Sequence, residues 1–416
     1  MIYMQIMSNI NNNTHIPNLR FSGFEGEWEE KPLSFFLHEH KTKSDGKSEV
    51  HSVSVSKGVI NQVEYLGRSF AASDTSKYNL AKPNDIIYTK SPTGAFPYGI
   101  VKQNKNPYNV IVSPLYAVYT PINKHIGYII DSIFESPVAT NNYLSSLVQK
   151  GAKNTIQISN DTFISKSVCL PTNPAEQKMI ASCLLEIDKL ISAQEQKVVV
   201  LKEKKKGLMQ QLLPLPGETT PRLRFPGFTG EWKYVNGNEL FKPISNKNHN
   251  SDLPILALTQ DQGAVPREKI NYNVVVSDKS VAGYKVVEID DFIISLRSFQ
   301  GGIEYSRYKG LCSPAYIILR KTDKSLSSDF YRIYFKSFNY IQELNKNLEG
   351  IRDGKMISYQ QFSDIKLPLP SILEQQKIAE CITALDDIIS AEIKELRCLE
   401  AHKKGLMQQL FPQPAK

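Results

Sequence analysis

Asn106-Pro107-Tyr108 is the nearest this chain comes to a catalytic loop, and it falls one residue short. An Asn-Pro-Pro-Tyr loop grips the amino group of a flipped adenine during methyl transfer, so the missing proline removes geometry that this chemistry needs. No Gly-x-x-x-x-Gly-Lys-Ser/Thr segment is present to cradle a triphosphate, and Gly301-Gly302 stands alone rather than in a Gly-x-Gly-x-x-Gly turn. The seven histidines include no His-Glu-x-x-His and no ligand pair at helical spacing. Asp290-Asp291 and Asp386-Asp387 are sequence neighbours whose carboxylates point apart. The expectation is a chain that performs no covalent chemistry and holds neither a metal nor a cofactor of its own.

What remains is non-covalent chemistry, concentrated in two windows. The first spans residues 90–109 and carries Lys90, Ser91, Thr93, Tyr98, Lys102 and Lys105. The second spans residues 296–310 and carries Arg297, Ser298, Gln300, Arg307, Tyr308 and Lys309. Both read as loops rich in Gly, Ser, aromatic and basic residues. Each lies between short apolar runs that predict strands, at 85–88 and 109–112 in the first case and at 291–294 and 315–319 in the second.

The two windows belong to two copies of one unit. Lys205-Lys206-Gly207-Leu208-Met209-Gln210-Gln211-Leu212 recurs letter for letter from Lys403 to Leu410, 198 positions later. The opening motif Arg20-Phe21-x-Gly23-Phe24-x-Gly26-Glu27-Trp28 recurs as Arg224-Phe225-x-Gly227-Phe228-x-Gly230-Glu231-Trp232. Tyr78, Asp85, Ser113-Pro114 and Glu176-Gln177 have counterparts in Tyr284, Asp291, Ser313-Pro314 and Glu374-Gln375. The largest length change between the copies falls inside the two windows. A shared frame with different loops predicts two modules that read different things. Trp28 and Trp232, each beside a Gly-rich turn, read as core plugs.

Each copy ends in a helical stretch with a strict seven-residue apolar repeat. The predicted seam is Leu184, Ile187, Ile191, Val198, Leu201 and Leu208 in the first, and Ile382, Leu385, Ile389, Leu396, Leu399 and Leu406 in the second. That period predicts a coiled coil. Prolines 174 and 214 bracket the first stretch, and 370 and 412 the second. At 1.5 Å per residue, the rod would be about 57 Å long. A parallel pairing would set Lys205 against Lys403, so the expectation is antiparallel. The lysine run 202–206 reads as the solvated face of that rod, and Cys183 and Cys381 as small packing residues.

The expected organisation is a flexible tail at 1–16, a head domain at 17–173, a spacer helix at 174–213, a linker at 214–220, a second head domain at 221–371, a second spacer helix at 372–412 and a tail at 413–416. The fold class is α/β (α+β) heads in two copies on a two-helix antiparallel coiled coil with pseudo-two-fold symmetry. Fifty basic residues against forty-two acidic give a net charge of +8, which favours a polyanionic partner. Five cysteines without a Cys-x-x-Cys pair fit a reducing cytoplasm. No apolar stretch of membrane-spanning length and no secretory leader is apparent, and Met4 and Met7 are alternative starts.

The ordered, duplicated motifs resemble the specificity subunits of type I restriction–modification systems. The opening motif resembles the start of each target-recognition domain. Glu374-Gln375-Gln376-Lys377-Ile378-Ala379, followed by Leu385-Asp386 and by 403–410, is similar to the helical region of that family, and Glu176-Gln177-Lys178-Met179-Ile180-Ala181 begins its counterpart. The resemblance implies a non-catalytic subunit whose two heads each bind one half of a split, asymmetric target in double-stranded DNA. It implies two modification (methyltransferase) subunits as partners, with two restriction (translocase and endonuclease) subunits able to join. S-adenosylmethionine, ATP and Mg would then come with those partners, and the setting would be the cytoplasm, away from any membrane. On that reading Lys90, Lys102, Arg297 and Gln300 would fork onto base edges, and Lys105, Arg307 and Lys309 would clamp phosphates. Two other function classes are weighed beside it: a stand-alone DNA methyltransferase or nuclease, and a coiled-coil scaffold with protein- or RNA-binding heads.

Overall fold

A computed structural model describes residues 4–6, 15–150, 156–250, 252–270, 281–323, 325–346 and 357–412. The chain divides into two compact units, one formed by residues 1–194 with 395–416 and the other by residues 195–394. Two helices of 39 residues, Pro174–Leu212 and Ile372–Leu410, each contribute one part to either unit.

The first unit is built on a four-stranded sheet in the order Leu37–Glu39, Ala117–Pro121, Ile86–Tyr88, Val101–Gln103. Ile86 and Tyr88 enter one apolar core and Ile87 the other, because successive strand side chains face opposite ways. A strand covered on both sides reads as a continuous apolar run, which is how Ile86-Ile87-Tyr88 stands in the sequence. The helix Lys124–Phe134, capped by the Asn123 side chain on the amides of His125 and Ile126, closes one side. The other side is covered by the ladder between Asn79–Ala81 and Val110–Val112.

The second unit has a four-stranded sheet in the order Phe241–Ile244, Ile317–Lys321, Phe292–Ile294, Glu304–Tyr305. Phe292 and Ile294 face one core, Ile293 and Ile318 the other. Its flanking ladder joins Lys285–Val287 to Gly310–Cys312, and the helix Ser328–Tyr334 is capped by Ser327. All strand ladders among the described residues are antiparallel. The strand and helix content is therefore mixed in the α+β sense, without parallel βαβ crossovers among the described residues.

Three sequence expectations need correction. Met4–Ile6 pair with Leu19–Phe21, so that part of the expected flexible tail is a strand. The rest of residues 1–14, and the tail at 413–416, lie outside the described residues. Neither window is wholly a loop: Val101–Gln103 is a sheet strand inside the first, and the second holds the short helix Ser298–Gly301 and the strand Glu304–Tyr305. Strands of two or three residues leave too little alternation to be read from a sequence.

Candidate nucleic-acid interface

The duplicated motifs prove to be clamps. In the first unit, Arg20 Nε and Nη2 donate to the two Glu176 carboxylate oxygens at 2.7 and 3.0 Å, while Nη1 donates to the Gly26 carbonyl. Trp28 Nε1 donates to the same carboxylate at 3.3 Å. The second unit repeats the fork, Arg224 to Glu374 at 2.7 and 2.8 Å and to the Gly230 carbonyl. This hydrogen bond to Glu374 holds the Arg224 guanidinium above its ordinary pKa. Gln177 and Gln375 donate to the carbonyls of Pro171 and Pro370, just ahead of each long helix. The Arg-Phe-x-Gly and Glu-Gln motifs therefore fasten each head to a helix start. Trp28 and Trp232 are core residues, the latter packed on Phe330.

Within each unit, the end of one long helix packs on the start of the other. In the first unit Leu184, Leu406, Met407 and Leu410 share a core with Trp28. In the second unit Leu208, Met209 and Leu212 pack with Ala379 and Ile382. Lys403 Nζ lies 2.7 Å from Asp188 and 2.5 Å from Glu135. Its counterpart Lys205 lies 2.5 Å from Asp386, and Lys197 lies 2.7 Å from Glu392. Leu184, Ile187, Val198, Ile382 and Ile389 are buried, and Ile191, Leu201, Leu208, Leu385, Leu396, Leu399 and Leu406 are half-buried. Cys183 and Cys381 are half-buried in the same contacts.

The first window scatters its candidates. Lys102 is buried and faces Glu135 at 3.8 Å, so it is not a free reader of bases. Lys105 is exposed, lies 2.7 Å from the buried Asp131 carboxylate and sits over the Tyr128 ring. Lys90 is half-buried, adopts a positive φ and donates to the Asn160 side chain. Burial lowers its pKa, partly offset by Glu39. Tyr98 is half-buried, with its carbonyl accepting from the Tyr88 hydroxyl at 2.7 Å. Ser91 and Thr93 are exposed, and Thr93 pairs through its backbone with Phe96.

The second window gathers more of its candidates at the surface. Arg297, Gln300 and Arg307 are exposed. Ser298 is buried, its hydroxyl accepting from the Ser295 amide at 2.9 Å, so it shapes the turn instead of reading from it. Tyr308 is half-buried and accepts from Lys269 at 3.2 Å. Lys309 is exposed but paired with Glu288 at 3.0 Å. Lys102 is buried by its place in the sheet strand Val101–Gln103, and the acidic partners of Lys105 and Lys309, Asp131 and Glu288, lie outside the windows.

Residues 230–399 match the model of the type I restriction modification DNA specificity domain. The chain is 29% identical over 260 residues to the MjaX type I restriction enzyme specificity subunit of Methanocaldococcus jannaschii, covering 59% of each protein. It is 26% identical over 272 residues to the MjaVIII specificity subunit of the same organism, covering 60% of this chain and 63% of that one. The matched stretch thus spans less than two thirds of either relative. The fold is similar to the crystal structure of a type I restriction–modification S subunit from M. genitalium, with a TM-score of 0.57 and 14% identity over 98% of this chain and 99% of that one. No helix among the described residues is long and apolar enough to cross a membrane.

Proposed function

We infer that this chain is a specificity subunit of the type I restriction–modification family, supplying DNA sequence recognition to such a complex and leaving the chemistry to its partners. Each head binds one half of a bipartite, asymmetric target in duplex DNA. The observation that carries this reading is the pairing of one sheet order with two unlike windows. Strands 37–39, 117–121, 86–88 and 101–103 match 241–244, 317–321, 292–294 and 304–305 one for one. The exposed polar candidates beside them differ: Ser91, Thr93 and Lys105 in one head, and Arg297, Gln300, Arg307 and Lys309 in the other.

The two long helices form the spacer. The pairs Lys403–Asp188, Lys205–Asp386 and Lys197–Glu392 have nearly equal residue-number sums, which is the register of an antiparallel coiled coil. On this reading the coiled coil sets the distance between two half-sites, roughly one DNA turn or ~34 Å. Modification subunits dock on the helical region and bring S-adenosylmethionine; restriction subunits bring ATP and Mg. The complex works in the cytoplasm.

The test is duplex binding by the full chain with its modification subunits, across a salt series and a randomised sequence library. Binding that weakens with salt yet selects a split sequence supports the reading. Methyl transfer by the purified chain alone, or binding with no sequence preference, contradicts it.

A further inference from the structure

Resting on the reading of the second head as a DNA-recognition domain, we propose that the hairpin tip formed by Gln260, Asp261 and Gln262 is a second specificity-determining segment, reading base edges beside Arg297 and Gln300. The tip joins strands Leu256–Thr259 and Gly263–Pro266, with Thr259 opposite Gly263. It is closed from within. Thr259 Oγ1 donates to the Gly263 carbonyl at 3.1 Å and accepts from the Gln262 amide at 3.1 Å, and Gly263 takes the left-handed φ of +74°. These bonds use the backbone of Gln262 and leave its side chain available. All three tip residues are exposed.

Their chemistry suits base edges. A glutamine amide forks onto adenine through one donor and one acceptor, and an aspartate accepts from the cytosine amino group. Their position suits the window. The Gln260 side chain lies against Gly301, where an added methyl would sit 2.7 Å from its amide carbon. Gly263 abuts the Tyr305 carbonyl, and Ala264 bridges to Ser306. The hairpin therefore runs beside the stretch of the window that lies between the exposed Gln300 and Arg307.

The floor beneath the tip is fixed. Lys336 donates to the Gly301 carbonyl at 2.9 Å and pairs with the buried Glu304 at 2.7 Å. A reading segment on such a floor loses little freedom on binding. The first head differs here. Its hairpin, His51–Ser54 with Gly58–Asn61, has Val55, Ser56 and Lys57 at the tip and borders an open cleft of about 590 Å³. The hairpin tips thus differ between the heads as the windows do, with amides in one and a serine and a lysine in the other.

The experiment is selection from a randomised duplex library by the full chain with modification subunits, with thermal melting to verify folding. Gln260→Ala with Gln262→Ala should lower the preference at one or two positions of a single half-site by about tenfold. Gln262→Arg, which keeps the backbone closure, should shift preference there toward guanine. Unchanged selection in these variants, or a uniform loss of affinity with preference intact, overturns the proposal; if Arg297→Ala with Gln300→Ala still alters one half-site, the recognition function itself stands. A wild-type complex that selects no sequence overturns both.

Discussion

Arg20 forks onto Glu176 across the first unit, with both side chains buried and both guanidinium contacts within 3.0 Å. Removing one partner strands a buried charge, which costs about 3–5 kcal/mol. Arg20→Ala should therefore lower the melting temperature sharply, whereas Arg20→Met with Glu176→Leu should recover much of the loss. Calorimetry on the single and double variants checks this. Equal losses would mean the fork is not the fastening.

Lys403 makes a second prediction, on pH. Burial lowers its pKa, but Glu135 and Asp188 more than offset this, so it stands above the ordinary lysine value of 10.5. A raised folded-state pKa means the ammonium's contribution is complete below the unfolded value and is lost as pH climbs through the folded one. The stability gap between wild type and Lys403→Met should be constant through neutral pH and shrink above pH 10.5. Denaturant melts across that range measure the gap, and a gap that widens at high pH would refute the assignment.

The proposed function separates structural lysines from readers. Lys102→Met should reduce stability and leave base preference intact, because Lys102 is buried beside Glu135. Arg297→Ala should do the reverse, relaxing one base position by about 1–3 kcal/mol with little change in melting. Library selection and melting on the same two proteins decide it.

Much of the frame could be read from residue order alone. Letter-for-letter repeats exposed the duplication, and Ile86-Ile87-Tyr88 and Phe292-Ile293-Ile294 showed as strands because both faces are covered. The roles of the repeated motifs could not be read, since Arg20 meets Glu176 only once 156 positions of chain are folded. Lys105 and Lys309 read as free cations because Asp131 and Glu288 stand beside them only in three dimensions. The place of the hairpin 256–266 beside Gly301 is purely tertiary.

The spacer makes a fourth prediction. One heptad inserted at facing positions of both long helices keeps the apolar seam in phase and adds about 10 Å of rod. The gap between half-sites should grow by roughly three base pairs, at ~3.4 Å each. Selection of targets by the lengthened protein reports the gap directly; an unchanged gap would mean that the helices do not set the distance.

The proposed function requires one frame that carries two independent readers. The most direct measurement replaces residues 17–173 with the corresponding head of another specificity subunit and determines the selected sequence with modification subunits present. One half-site should change completely, while the half-site read by the second head and the gap between them stay as they were. A change in both half-sites, or in neither, would contradict the account.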